Sequence, residues 1–161
     1  MDIRIGNGFD VHAFEEGNFV ILGGVKIPHT SKLSGHSDAD VLTHAICDAV
    51  LGAVALGDIG TYFPDSDPKY KGVSSLVLLK ETLRMLEEKN FEIVNIDSTI
   101  VCEKPKISPH VSAIRDSLSE VTELNPEYIG VKATTTDGMG FTGREEGIAA
   151  YAVVIIHSNN P

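Results

Sequence analysis

The chain has 161 residues, 42% of them hydrophobic and 22% charged, the make-up of one globular domain rather than of a disordered or fibrous polypeptide. Thirteen Lys and Arg against 23 Asp and Glu leave a net charge of −10, which argues against nucleic acid or an anionic membrane as partner. No run nears the roughly 18 apolar residues of a membrane span, and no basic-then-apolar leader opens the chain. Cys47 and Cys102 match neither a disulfide framework nor a C-x-x-C site, so a soluble cytosolic or organellar protein is expected.

Residues 2–12 (DIRIGNGFDVH) predict a strand, with Ile3, Ile5 and Phe9 suited to a sheet. Phe19–Leu22 and Val25–Ile27, joined at Gly23-Gly24, read as a hairpin. From Ser37 the apolar residues Val41, Leu42, Ala45, Ile46, Ala49, Val50, Ala53 and Val54 recur at three- and four-residue steps, a helix with Ser37 and Asp40 in the spacing of a capping box and Gly57 as its stop. Residues 58–73 carry prolines, glycines and aspartates and read as a long loop, functional or mobile. Ser74 or Ser75 caps a second helix that ends near Asn90, Phe91–Cys102 is a strand, and Pro109 opens a third helix on Val111, Ile114, Leu118 and Val121. Ile129–Thr135 and Ile148–Ile156 are the last strands. Together these elements predict a single α+β domain over 1–161, with a mixed or mostly antiparallel sheet and helices packed on one face.

Three clusters carry chemistry. Asp10 and His12 alternate along one face of the first strand, a carboxylate and an imidazole suited to a divalent transition metal, or else a surface hydrogen-bonded pair. Asp40, His44 and Asp48 form a polar ridge at i, i+4 and i+8 on an otherwise apolar helix. A histidine flanked by two acids there suits a metal ligand whose second nitrogen is oriented by a carboxylate. Asp10, His12 and His44 would then leave a fourth tetrahedral position open, the catalytic arrangement for zinc, with His36 free to reach a substrate. The third cluster, Thr134, Thr135, Thr136 and Asp137 followed by the glycines and Arg144, suits phosphate oxygens and a Mg²⁺ ion, or else is a Thr-rich strand running into a flexible loop. Gly6-Asn7-Gly8 lacks the third glycine and the following helix of a dinucleotide fingerprint.

The segments GFDVHAF, HSDADVLTHAICDAVLGAVALGDIG, FPDSDPKYKG, EKPKISPH and KATTTDGMGFTGREEGIA, in that order over nearly the whole chain, resemble the 2-C-methyl-D-erythritol 2,4-cyclodiphosphate synthase family. The resemblance implies a homotrimer of α+β subunits with active sites at the subunit interfaces. It implies release of CMP from 4-diphosphocytidyl-2-C-methyl-D-erythritol 2-phosphate, with one Zn²⁺ per subunit and Mg²⁺ or Mn²⁺ as a second cation. By resemblance Asp10, His12 and His44 bind zinc, and Val11 lies with Asp10 and His12 against the substrate. His36 and Ser37 match the loop over the phosphates, and His36 and Thr135 the transition-state-stabilising positions. Asp58, Ile59 and Gly60 match the ribose segment, and Phe63, Pro64, Asp65, Ser66 and Asp67 the loop near the methylerythritol. Cys102, Glu103, Lys104, Pro105, Lys106, Ile107 and Ser108 match the cytosine loop. Thr134, Thr135, Thr136 and Asp137 match the phosphate segment, with Phe141 and Arg144 beside it. Two departures stand out: Asp137 where the second-metal ligand is usually Glu, and Asn7 where a His is frequent. The length matches the synthase alone, so a monofunctional enzyme of the non-mevalonate isoprenoid route is expected, in a bacterial cytoplasm or a plastid-type organelle.

Overall fold

Seven strands and five helices follow one another along the computed structural model, which describes residues 2–158, so the outermost residues of the expected 1–161 domain lie outside it. Strands β1 (Ile3–Glu16), β2 (Phe19–Leu22), β3 (Val25–Pro28) and β4 (Ser31–Leu33) precede helix α1 (Val41–Ala53). A short helix α2 (Ile59–Tyr62) and helix α3 (Ser75–Glu87) lead to β5 (Phe91–Val101), and α4 (Val111–Thr122) leads to β6 (Ile129–Thr134). A single turn α5 (Gly140–Gly143) and β7 (Gly147–Ser158) complete the fold. The main sheet runs β4-β1-β7-β5-β6, antiparallel throughout except for the parallel β5–β6 pair, and β2–β3 form a separate hairpin. This is the mixed sheet that the strand pattern predicts. The parallel pair is what the α4 crossover between β5 and β6 requires.

The helices cover one face. Ile148, Ala150, Ala152, Val154 and Ile156 of β7 are buried beneath them, while Tyr151, Val153 and Ile155 point the other way and are exposed. Helix α1 is buried around nearly its whole circumference, between the sheet and α3, which is why its apolar residues exceed one stripe. It lies unusually close to β1. A Cβ added at Gly6 would stand 1.9 Å from the carbonyl oxygen of Ala49, and one at Gly8 the same distance from that of Ala45. The two glycines are therefore the surface on which the helix rests.

Several boundaries differ from expectation, among them the end of β1 at Glu16 rather than at residue 12 and the end of α1 at Ala53 rather than at Gly57. Helix α1 begins at Val41, with Asp40 rather than Ser37 as its N-cap, because Ala39 takes a left-handed φ of 57° that a continuing helix forbids. The Asp40 carboxylate, fully buried, accepts from the backbone N–H of Thr43, Gly23 and Gly24 and from the Thr43 hydroxyl, tying the β2–β3 turn to the helix start. The long loop carries α2 and a 3₁₀ turn at Pro68–Tyr70, each capped by an aspartate, Asp58 and Asp67. Pro109 sits in a 3₁₀ turn, Ser108–His110, that precedes α4. Strand β4 and helix α5 are too short to leave a periodic signal.

Candidate active site

Alternation along β1 places Gly6, Gly8, Asp10 and His12 on the face toward α1. Because the glycines seat the strand on Ala45 and Ala49, the next residues on that face meet the first turn of the helix, where His44 projects. The Asp10 Oδ2 lies 3.0 Å from His12 Nε2 and 3.2 Å from His44 Nδ1, and the two imidazole nitrogens are 3.1 Å apart. Three ligands of a tetrahedral zinc with bonds of about 2.05 Å stand roughly 3.3 Å from one another. The three donor atoms thus already outline one face of such a tetrahedron. One carboxylate and two imidazoles are a donor set that fits a divalent transition metal, and among the described residues this is the group able to hold one. Burial raises the Asp10 carboxyl pKa, but hydrogen bonds and charge from His12 and His44 outweigh it and hold the group well below the usual carboxylate range. Burial also lowers His12, and Asp10 more than offsets this, so the imidazole is raised overall.

The two acids expected to orient His44 do not touch it. Asp40 is consumed by the cap described above, and Asp48 accepts from the backbone N–H of Ile59, holding α2 against α1. The second nitrogen of His44, Nε2, instead meets Ser75 Oγ at 2.8 Å and Ser37 Oγ at 3.0 Å. Ser75 is fully buried and also contacts Asp38. Its position at the start of α3 gives it no sequence signal beyond that of a cap candidate. Nor does its spacing from His44 show that the two meet. His36, on the same loop as Ser37, brings its Nε2 to 3.0 Å from the Asp67 carbonyl, so the 36–38 and 58–73 loops are joined beside the Asp10–His12–His44 group. Phe63 is buried edge-on to Tyr70 at 5.4 Å between centroids, which anchors the segment from Pro64 to Asp67, whose Asp65 and Ser66 are exposed.

The remaining candidates assemble elsewhere. Cys102, Glu103, Pro105, Lys106, Ile107 and Ser108 line a cavity of about 460 Å³ together with Thr134 and Thr135. Glu103 Oε1 accepts from the Thr136 backbone N–H at 2.9 Å, and Cys102 N–H donates to the Thr134 carbonyl at 3.1 Å, fastening the two loops together. Asp137 is exposed, held at φ 53°, with the Thr135 hydroxyl 3.4 Å from its Oδ1. Arg144 pairs with Glu146 at 2.8 Å, and Lys104 with Glu145 at 3.2 Å. Asp10 is in register with Ala150, Ala150 with Ile100, and Ile100 with Ala133. The two clusters are therefore three strand spacings, or about 14 Å, apart across the sheet.

A family model described as the YgbB family matches residues 3–157. A 2-C-methyl-D-erythritol 2,4-cyclodiphosphate synthase from Syntrophobacter fumaroxidans is 54% identical over 157 residues, covering 98% of this chain and 99% of its own. The bifunctional IspDF from Campylobacter jejuni superposes with a TM-score of 0.94 at 43% identity, over 98% of this chain and 42% of its own. A 2C-methyl-D-erythritol-2,4-cyclodiphosphate synthase with CDP bound superposes with a TM-score of 0.88 at 38% identity, over 96% of this chain and 100% of its own. With a family model matching residues 3–157 and full-length relatives at 54% identity, the chain belongs to the YgbB family, that of the 2-C-methyl-D-erythritol 2,4-cyclodiphosphate synthases.

Proposed function

We propose that this chain converts 4-diphosphocytidyl-2-C-methyl-D-erythritol 2-phosphate into 2-C-methyl-D-erythritol 2,4-cyclodiphosphate and CMP, a step of non-mevalonate isoprenoid precursor synthesis. The observation that carries the reading is the Asp10–His12–His44 triangle, three donors preset for one metal with no fourth protein ligand among the described residues. Zinc held there, with Mg²⁺ or Mn²⁺ at Asp137, would supply Lewis acidity and charge neutralisation to the diphosphate. An oxygen of the substrate's 2-phosphate attacks the β-phosphorus, the bond from that phosphorus to the bridging oxygen breaks, and CMP leaves with the electron pair. The attacking oxygen is already anionic, so no side chain needs to remove a proton.

What the chain supplies is orientation, which can lower the barrier by roughly 7 kcal/mol or more. The cavity bounded by Cys102–Ser108 has the walls to grip a planar base, with Pro105 and Ile107 on its apolar side and Lys106 at its rim. Asp58, Ile59 and Gly60 on α2 would take the ribose, and Phe63–Asp67 would border the methylerythritol. His36 and the Thr135 hydroxyl would stabilise charge on the transferred phosphoryl group, while Thr134, Thr136, Phe141 and Arg144 line its surroundings.

A base cavity about 14 Å from the metal triangle on one chain favours a site assembled from two copies. The outer face of the sheet supports self-association as well. Ile3, Ile5, Phe9 and Val11 of β1 and Tyr151, Val153 and Ile155 of β7 expose apolar side chains there, from 37% to 70% accessible, with Asn7 among them. A patch of that kind marks an interface, and we assign it to the homotrimer with interfacial sites. Phosphorus NMR of the protein with the diphosphocytidyl substrate, with Mg²⁺ and with chelator, tests the reaction. Metal-dependent CMP release with two coupled phosphorus resonances is the expected result; linear phosphates would make it a hydrolase, and no turnover in folded, zinc-loaded protein would overturn the reading.

A further inference from the structure

Ser75 lies outside every segment discussed so far as touching substrate, yet it is a fully buried polar side chain in direct contact with a ligand histidine. Its hydrogen bonds have only one consistent set of directions with Asp38 as a carboxylate. Asp38 Oδ2 accepts the Ser75 backbone N–H at 3.0 Å, and Oδ1 accepts the Asp40 backbone N–H at 3.2 Å. The Ser75 hydroxyl, in short contact with the same Oδ1, gives its single proton to that carboxylate. Ser75 Oγ can therefore only accept from His44, so Nε2 carries an imidazole proton, and Nδ1, which faces Asp10 and His12, is the nitrogen left to bind a metal. Ser37 Oγ, 3.0 Å away, is a second acceptor for the same N–H.

We propose that Ser75, backed by Asp38, is a positioning residue that fixes the His44 tautomer and ring orientation for metal binding. The inference rests on the metal reading of Asp10, His12 and His44. A ligating histidine generally needs its other nitrogen held in this way, and loss of such a partner typically weakens metal binding 10- to 100-fold. The relay also crosses the junction of the substrate loops. Asp38 N–H donates to the Val73 carbonyl at 3.0 Å and Gly72 N–H to the His36 carbonyl at 2.8 Å, so the relay that orients His44 also holds the loop bearing His36.

Long-range ¹H–¹⁵N spectra of histidine-labelled protein, together with zinc affinity from chelator competition, test this without substrate. His44 is expected as the Nε2–H tautomer in the zinc-loaded wild type. Ser75→Ala, which leaves Ser37 as acceptor, should weaken zinc binding about tenfold, and Ser37→Ala/Ser75→Ala about 100-fold with a mixed tautomer signal. Ser75→Thr, which keeps the hydroxyl, should restore both readouts. An Nδ1–H tautomer in the wild type, or unchanged zinc affinity and spectrum in the double variant, overturns the proposal. If the serine variants do not fold, the wild-type tautomer and the zinc affinity of Asp38→Asn decide it, an unchanged affinity counting against the relay. His44→Ala separates the two levels. Zinc retained there refutes the metal reading and the relay with it, whereas zinc lost there but kept in the serine variants refutes the relay alone.

Discussion

Gly8→Ala tests the claim that a bare strand surface sets the metal geometry. The added Cβ would lie 1.9 Å from the Ala45 carbonyl oxygen, against the 3.4 Å at which ordinary contact begins, so β1 and α1 must part by about 1.5 Å. The obstacle is helix backbone, which cannot rotate aside. The cost belongs at the upper end of overpacking, roughly 3 kcal/mol, or a fall in Tm of about 10 °C for a chain of this size. Ligand distances in a metal site tolerate about 0.2 Å, so the same displacement separates Asp10 and His12 from His44 and should weaken zinc binding on the order of 100-fold in the molecules that remain folded. Gly6→Ala meets the Ala49 carbonyl at the same 1.9 Å but sits two residues farther from Asp10. It should match Gly8→Ala in Tm while losing less zinc affinity. The assays are calorimetric melting at one fixed protein concentration, since the melting of an oligomer depends on it, and zinc competition. A Gly8→Ala protein with wild-type Tm and zinc affinity would refute the reasoning.

Burial, aided by the Asp58 and Asp10 charges, raises the Asp48 carboxyl above its ordinary value despite the Ile59 N–H. A raised carboxyl costs the folded state stability when ionised, and that cost disappears as the pH falls. Asp48→Asn keeps the acceptor for Ile59, so the metal-free variant should melt above the parent at pH 7, with the advantage vanishing once the pH is below 3.8. Equal melting at pH 7 would refute it. Asp137→Ala should weaken the response of turnover to added Mg²⁺ or Mn²⁺, and an identical metal titration would remove this residue from the second site. Ile5→Glu, at a residue 70% exposed on the apolar sheet face, should convert the assembly to monomers in sedimentation velocity with secondary structure intact; an unchanged sedimentation coefficient would clear that face of the interface.

The elements with strong periodicity were legible in the sequence. The β2–β3 hairpin, α3 and the long strands β5 and β7 fall where apolar spacing puts them, because each buries one face against the core, and α1, buried nearly all round, is legible from its three- and four-residue steps although its ends are not. The metal triangle was legible for a related reason: alternation alone puts Asp10 and His12 on one face. What joins His44 to them is a tertiary contact, and local pattern is silent about those. The same limit explains Asp40 and Asp48. At i−4 and i+4 from His44 they look like its partners, but both are spent on backbone donors from other segments, Gly23 and Gly24 for one and Ile59 for the other. Ser75, 31 residues away, takes the place that an acid seemed to fill. The part that Gly6 and Gly8 play, close approach of α1, shows only when the helix is in place.

Strand β1 carries two unrelated requirements on its two faces, and the period of two makes them inseparable. Gly6, Gly8, Asp10 and His12 face inward and fix both the approach of α1 and the metal triangle. Ile3, Ile5, Phe9 and Val11 face outward and make up most of the surface assigned to self-association. A one-residue slip against β7 would turn Asn7 and Phe9, or Ile5 and Asn7, onto the Ala49 and Ala45 carbonyls, which admit no Cβ, and would turn Asp10 and His12 out of reach of His44. The clash of large side chains with helix backbone is what forbids that slip. The glycines therefore do more than allow close packing: they hold the register that brings Asp10 and His12 to His44 and turns the apolar face of β1 outward.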